Sequence, residues 1–330
     1  MSEPDPLVTV IATCFNHKSF VVNALESIRA QSYKNVELII VDDHSTDGSQ
    51  DVIAGWLKRT GTRAKFLAHR KNMGICRSRN DALGHASGKY VACISTDDMW
   101  LPERLAAHTA ILEKLPTTTA AVYSDAYLMD ETGDAVEGMF IERYRSADPP
   151  DGGTYEALLE GNFIPSLATL VRRSAMQAIG PYDERLVFED WDMWLRLSQR
   201  YDFAYSSTPV ARYRLVPTSL MRDLLGRRRA ELAVSELRIR LKHVGRSAAS
   251  DHLLGFGLDA NLEDLYQHRH HRRCEYYRRV AEHNCNRRLL DVCRLARIGM
   301  PCAWMHRCET ALRRLGRRPT AAVRETRPVS

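Results

Sequence analysis

Residues 90–102 read Tyr-Val-Ala-Cys-Ile-Ser-Thr-Asp-Asp-Met-Trp-Leu-Pro, and the predicted fold is organised around them. An apolar run of strand length ends at two adjacent carboxylates, Asp97 and Asp98, and Pro102 suits the first turn of a helix. At the carboxyl end of a strand, the loops of an open α/β sheet converge on a crevice that binds ligands. Because neighbouring strand residues point to opposite faces, one acid could hold a divalent cation while the other hydrogen-bonds a ribose or another ligand group. Alternatively, the pair only ends the strand and caps the helix.

Strands and helices alternate before this stretch. Short β-branched runs predict strands over residues 7–14, 36–41 and 64–68, and apolar residues at helical spacing follow each run. Ser45, Thr46 or Asp47 is expected to cap the second helix, and the third helix is expected to run to about Ala86. This alternation implies a mainly parallel sheet with right-handed crossovers. The first, second and fourth strands should therefore end at one edge, with Asp43 in the same crevice as Asp97 and Asp98.

The pattern loosens after about residue 104. We expect strands near 120–123 and 168–171, a hairpin turn at 130–134, and a helix from Ser174 to Gly180. The run 186–195 carries Glu189 and Asp190 into the start of another helix. Negative charge at a helix N-terminus is stabilised by the helix dipole, which by itself could explain both acids.

Charge divides the 330-residue chain into two parts. Residues 1–220 carry 23 Lys and Arg against 29 Asp and Glu, whereas residues 221–330 carry 24 against 12. The length suits about two domains, and the composition is that of a soluble globular protein. With no positive n-region, no apolar run of membrane-spanning length and eight scattered cysteines, we expect a cytoplasmic protein with reduced thiols.

Four motifs in order resemble those of the inverting family 2 glycosyltransferases. The head, VTVIATCFNHKSFVVNALESIRAQSYKNVELIIVDDHSTDGS at residues 8–49, is similar to the family pattern nearly residue for residue. Asn72-Met73-Gly74 with Arg79-Asn80, then residues 95–98, then residues 188–192 resemble the later motifs. The resemblance covers about residues 7–220 and implies the GT-A fold, an α/β architecture with a Rossmann-like, mainly parallel mixed sheet flanked by helices.

The resemblance also implies the roles of individual residues. Mn²⁺ or Mg²⁺ would be held by Asp98, with Asp97 as a second metal contact or a ribose contact. Asp190 would be the catalytic base and Glu189 the second choice, with Trp191 on the acceptor side. The nucleotide sugar would be bound by seven residues: Thr13, Asn16, Asp43, Asn72, Arg79, Asp97 and Trp100. Ser95 departs from the family by standing where an acid is common, and Val216 or Pro217 replaces a frequent His.

The implied activity is metal-dependent, inverting transfer of a hexosyl group from a nucleotide sugar, most simply a UDP-sugar. The acceptor would be a saccharide or lipid-linked glycan, for example in surface polysaccharide synthesis. A sugar nucleotidyltransferase and a catalytically silent nucleotide-sugar-binding or recruitment protein are the alternatives. We expect a catalytic domain over 1–220, with a nucleotide-sugar-binding half to about 103 and an acceptor-binding half from 104.

Residues 221–330 are expected to form a basic α-helical region. Their apolar residues recur at helical spacing, and the basic faces could dock peripherally on anionic lipids at the inner face of the cytoplasmic membrane. A solvated helical face or an oligomer contact is the alternative. No nucleic-acid recognition motif accompanies the arginines, so no nucleic-acid partner is expected. Residues 268–285 contain clustered His and Cys, but they lack the Cys-Xaa-Xaa-Cys spacing of a zinc site.

Overall fold

The computed structural model describes residues 5–145, 147–150, 153–217 and 219–267. They belong to two compact units, one ending at His243 and the other beginning at Val244. The first unit therefore includes two helices beyond residue 220, where the sequence places the domain boundary. Within the described ranges, no helix is both long and apolar enough to cross a membrane.

The amino-terminal part of the first unit alternates strands with helices. The elements are β1 (Val8–Cys14), α1 (Val21–Arg29), β2 (Val36–Asp42), α2 (Ser49–Thr60), β3 (Ala64–Ala68), α3 (Ile75–Leu83) and β4 (Tyr90–Ser95). Every residue of β1 is buried, as expected for a central parallel strand covered on both faces. Helix α1 buries Val21, Ala24, Leu25 and Ile28, which helical spacing places on one face.

The remainder of the first unit mixes short strands and helices. The elements are β5 (Met99–Trp100), α4 (Arg104–Lys114), β6 (Thr119–Met129), β7 (Ala135–Met139), α5 (Phe140–Tyr144), α6 (Thr154–Glu160), a 3₁₀ turn (Ser166–Ala168), β8 (Thr169–Arg172), α7 (Arg173–Ile179), α8 (Asp190–Ser198), β9 (Asp202–Arg214), α9 (Leu220–Leu225) and α10 (Arg229–Leu241). The described part of the second unit contains α11 (Ala248–Gln267).

One mixed sheet joins these strands in the order β3-β2-β1-β4-β8-β6-β9-β5, with β7 paired to β6. The strands from β3 to β4 are parallel, and β8 joins β4 in the antiparallel direction. Cys14 lies opposite Asp42, and Thr13 lies opposite Ser95. The carboxyl ends of β1, β2 and β4 therefore share one edge, as the alternation predicted.

Two predicted helix ends were wrong. Helix α2 begins at Ser49 after Gly48, so none of residues 45–47 is its N-cap; Asp47 instead accepts the Ser49 N–H at 2.9 Å from outside the helix. Helix α3 ends at Leu83, before Ala86. The chain then turns through Gly88, where an added Cβ would lie 2.5 Å from the Thr9 nitrogen. This close approach to β1 explains the glycine better than a helix stop does.

The hairpin turn at 130–134 was predicted correctly. It joins β6 to β7, and the Asp130 N–H donates to the Asp134 carbonyl at 2.9 Å.

Candidate active site

Asp43 directly follows β2 and organises the loop that leads into α3. Its Oδ1 accepts the Met73 N–H at 2.7 Å and lies 2.8 Å from His69 Nδ1, and its Oδ2 accepts the Gly74 N–H at 2.8 Å. Asn72 is exposed just before these residues. Asp43 thus reaches the expected edge and brings the loop at 72–74 to it.

The turn after β1 lies at the same edge. Asn16 has a left-handed backbone, with φ of 57°, and its Oδ1 accepts the Thr46 N–H at 2.8 Å. Thr13 is buried, and its hydroxyl is 3.4 Å from the Ile94 carbonyl of β4. Thr13 and Asn16 therefore join the ends of three strands, and Asn16 is the more exposed of the two.

Of the two acids that follow β4, Asp97 has an oxygen available for a ligand. Its Oδ2 lies 3.8 Å from His17 Nε2, and His17 Nδ1 lies 3.0 Å from the Thr96 hydroxyl. Its Oδ1 is buried without a hydrogen-bond partner among the described residues. A buried, unpaired carboxylate oxygen is costly, so this atom is a suitable ligand for a cation.

The side chain of Asp98, in contrast, already accepts a hydrogen bond from the protein backbone. Its Oδ1 accepts the Arg214 N–H at 2.9 Å, and the Arg214 side chain donates from Nε to the Asp97 carbonyl at 2.7 Å. Burial, and next the charge of Asp97, raise the pKa of Asp98 well above its ordinary value. No group of three or more His, Cys, Asp or Glu side chains among the described residues could enclose a metal ion, so a cation here would have few protein ligands.

Arg79 lies beside the acids of the later motif. It is buried in α3, with Nη2 3.0 Å from Glu189 Oε1 and Nη1 donating to the Ser166 hydroxyl at 2.8 Å. The sequence placed Arg79 near the nucleotide, whereas in the structure its guanidinium holds Glu189. The two motifs are joined by a buried ion pair.

Asp190 is the first residue of α8. Its Oδ1 accepts the Trp191 N–H at 2.7 Å, and the Asn162 side chain also hydrogen-bonds to this carboxyl group. Burial, and next the neighbouring Glu189 charge, raise the pKa of Asp190 to about 7. A carboxyl group with a pKa near neutrality can accept a proton from a substrate hydroxyl.

Both tryptophans assigned to the ligand are core residues in the structure. Trp100 and Trp191 are each 3% exposed, and their indole N–H groups donate to the carbonyls of Leu167 and Leu158 at 2.8 and 2.7 Å. Arginines cover their rings, with Arg104 at 3.9 Å and Arg240 at 4.5 Å from the ring centroids. Neither ring offers an open face to a sugar, so these two assignments are corrected.

Several residues at the site were not singled out by sequence reasoning: His17, Asn162, Ser166 and Arg214. The FNHKS turn belongs to the head motif, which was the available signal for His17, and Arg214 ends β9 two residues before Val216, where the sequence departs from the family. Asn162 and Ser166 lie outside every motif and reach the site only through the fold. The histidine and cysteine cluster at 268–285 lies outside the described residues.

Comparison with known sequences identifies the family. A family model described as Glycosyl transferase family 2 matches residues 9–180, more than half of the chain. The putative teichuronic acid biosynthesis glycosyltransferase TuaG of Bacillus subtilis is 29% identical over 221 residues, 67% of this chain and 83% of TuaG. The UDP-Glc:alpha-D-GlcNAc-diphosphoundecaprenol beta-1,3-glucosyltransferase WfaP of Escherichia coli is 29% identical over 192 residues, 58% of this chain and 70% of WfaP.

Solved structures share the fold at low sequence identity. S. aureus TarS 1–349 in complex with UDP-GlcNAc matches with a TM-score of 0.61 and 15% identity, covering 90% of this chain and 93% of TarS 1–349. The mannosyltransferase PcManGT of Pyrobaculum calidifontis, in complex with GDP-Man and Mn²⁺, matches with a TM-score of 0.57 and 18% identity. That match covers 79% of this chain and 72% of PcManGT.

Proposed function

Because the chain belongs to glycosyl transferase family 2 and is a glycosyltransferase with the GT-A fold, we propose that it transfers a hexosyl group from a UDP-sugar with inversion. One arrangement carries this proposal. Asp97 and Asp98 lie at the strand edge, and Asp190 is held in a separate group with Glu189 and Arg79. Inversion requires these two chemical functions, charge stabilisation at the leaving diphosphate and a base for the acceptor hydroxyl.

A divalent cation fits the strand edge. We assign Asp97 as the first ligand, because its Oδ1 is buried without a described partner, and Asp98 as a supporting ligand through its second oxygen. This reverses the order that the sequence suggested. Mn²⁺ or Mg²⁺ needs only one or two carboxylates when diphosphate oxygens complete its shell. When bound, the ion would neutralise the charge that develops on the leaving diphosphate.

Asp190 is the proposed general base. It would take the proton of the acceptor hydroxyl as that oxygen attacks the anomeric carbon. The Trp191 N–H and the Asn162 side chain orient the carboxyl group, and burial, with the charge of Glu189 next, keeps the pKa of Asp190 near neutrality. Arg79 acts in the opposite direction by lowering the pKa of Asp190, and it balances the charge of Glu189. No covalent intermediate is required.

The nucleotide is proposed to lie along the ends of β1 and β2. Asp43, Thr13, Asn16 and Asn72 lie on that edge, where Asp43 would accept a nucleobase N–H in addition to the loop contacts that it makes. WfaP is named as a UDP-Glc-dependent glucosyltransferase and TarS was solved in complex with UDP-GlcNAc, which supports a UDP-sugar donor. The PcManGT complex keeps a GDP-sugar as the second candidate.

The proposed acceptor is a saccharide or a lipid-linked glycan. The WfaP name includes a diphosphoundecaprenol-linked sugar, and the TuaG name includes teichuronic acid biosynthesis, which supports surface polysaccharide synthesis. We keep the catalytic domain as residues 1–220 and extend it by α9 and α10, because both belong to the first compact unit. A peripheral membrane position, through basic residues after 220, is also part of the proposal.

Nucleoside diphosphate release tests the proposed reaction. The full chain is incubated with UDP-glucose, UDP-GlcNAc or GDP-mannose, with Mn²⁺ and a GlcNAc-diphospholipid acceptor. The proposal expects diphosphate release that depends on the acceptor and is lost in Asp190→Asn. Release of pyrophosphate would instead indicate a nucleotidyltransferase, and nucleotide-sugar binding without release would indicate a silent binding protein.

A further inference from the structure

The segment that carries the proposed base is fastened to α10 through Lys242, which directly follows that helix. Lys242 Nζ lies 2.8 Å from Asp183 Oδ2 and 2.5 Å from Asp192 Oδ1. Asp192 is 1% exposed, and its other oxygen lies 2.8 Å from Arg196 Nε. We call residues 183–192 the base segment. One ammonium group therefore forms ion pairs with acids at both ends of the base segment.

Helix α10 makes three further contacts with the base segment. The Ser235 hydroxyl accepts the Val187 N–H at 3.1 Å, and Arg238 Nη1 donates to the Arg185 carbonyl at 2.5 Å. Arg240 lies 4.5 Å from the ring centroid of Trp191. These contacts, together with Lys242, are distributed from one end of the base segment to the other.

Helix α3 holds the same segment from another side. The Cys76 thiol is 3.5 Å from both the Leu186 and the Phe188 carbonyls, and Arg79 pairs with Glu189. Asp190 is thus the only acid of the three at 189, 190 and 192 without a described cationic partner within ion-pair distance. Glu189 and Asp192 are anchored on either side of it, so their anchors restrict where the Asp190 carboxyl group can lie.

We propose that Lys242 is a positioning residue for catalysis, and that α10 serves as a brace that holds the base segment in its reactive geometry. This inference rests on the proposed role of Asp190. A neutral side chain at position 242 would leave the buried Asp192 with Arg196 alone and would remove the ion pair that links Asp183 to the end of α10. A small displacement of a catalytic group lowers the rate of the chemical step, whereas donor binding at the strand edge is unaffected.

Three variants test the brace: Lys242→Met, Lys242→Arg and, as the matched control, Arg227→Met. Arg227 is a 90% exposed arginine whose ion pair with Asp223 does not involve the base segment. In UDP release with UDP-glucose or UDP-GlcNAc and the GlcNAc-diphospholipid acceptor, we expect Lys242→Met to lower kcat by about tenfold or more and to leave the donor KM within about twofold. Lys242→Arg should recover most of kcat, and Arg227→Met should match the wild type. An unchanged kcat in Lys242→Met, or no recovery in Lys242→Arg, would overturn the proposal.

Hydrogen exchange tests the same inference without turnover. In Lys242→Met, backbone amides of residues 183–192 should exchange faster, while those of β4 should keep their wild-type rates. If Lys242→Met does not fold, Ser235→Ala removes only the hydroxyl that accepts the Val187 N–H and should show the same local effect. If the wild type turns over no donor, the proposed function fails. Hydrogen exchange alone then tests whether α10 holds the base segment. Unchanged exchange in the base segment, or faster exchange throughout the first unit, would contradict it.

Discussion

Arg79 Nη2 lies 3.0 Å from Glu189 Oε1, so a buried guanidinium of α3 is paired with the acid next to Asp190. The two residues are 110 positions apart in the chain, and β4 with its carboxylate pair lies between them. This ion pair joins α3 to the acids of the later motif. It also predicts that the charge of Arg79 influences the titration of Asp190.

Removing this charge should alter the pH profile. Arg79 lowers the pKa of Asp190 against the effects of burial and Glu189, so Arg79→Met should move the acid limb of kcat/KM to higher pH by about one unit. The unpaired Glu189 should also lower the free energy of unfolding by about 3 kcal/mol. The control is Arg227→Met, whose exposed ion pair with Asp223 does not involve the base segment. An acid limb that stays in place would show that Arg79 does not influence the base.

The wild type should lose activity as the pH falls. A general base must be deprotonated, and the pKa of Asp190 is raised to about 7. Below that pH, kcat/KM should fall about tenfold for each pH unit. Above pH 7, Asp190→Asn should lower kcat by about a hundredfold or more and should remove the acid limb, while the protein still binds UDP. A flat profile between pH 5.5 and 8 would exclude Asp190 as the base.

The two acids at the strand edge should differ in their effect on Mn²⁺. Asp97→Asn removes the oxygen without a described partner, so the Mn²⁺ concentration for half-maximal activity should rise about tenfold or more. Asp98→Asn should have a smaller effect, because one oxygen already accepts the Arg214 N–H and burial favours the neutral form. Mn²⁺ titration by electron paramagnetic resonance with UDP present measures both variants directly. The opposite order of effects would restore Asp98 as the first ligand.

Trp100 should contribute to stability rather than to donor affinity. Trp100→Phe removes the hydrogen bond to Leu167 and weakens the contact with Arg104. We expect the free energy of unfolding to fall by about 1 to 2 kcal/mol, measured by urea denaturation, with the donor KM within about twofold. A rise in KM at unchanged stability would place the indole in the ligand site after all.

Local sequence patterns were sufficient to predict which strands end at the same edge of the sheet. Alternating strands and helices, each recognisable from apolar periodicity, require that β1, β2 and β4 end together, and the carboxylates follow those ends. The partners of individual side chains were not predictable in this way. His17 meets Thr96, and Arg79 meets Glu189, across 79 and 110 positions, because of how the loops pack.

The burial of the two tryptophans shows the same limit. A tryptophan beside a motif can contact a sugar or fill the core, and sequence does not distinguish these roles. Here the carbonyls of Leu167 and Leu158 face the indole N–H groups, and arginines cover the rings. Those contacts depend on elements far from the motifs that contain Trp100 and Trp191.

The most direct test of the central claim is the anomeric configuration of the product, determined by NMR after transfer from UDP-glucose or UDP-GlcNAc to the GlcNAc-diphospholipid acceptor. Both donors carry an α-linked diphosphate. In-line attack by a hydroxyl activated by Asp190 predicts a β-linked product from the wild type and none from Asp190→Asn. An α-linked product, or a β-linked product formed at the wild-type rate by Asp190→Asn, would contradict the account.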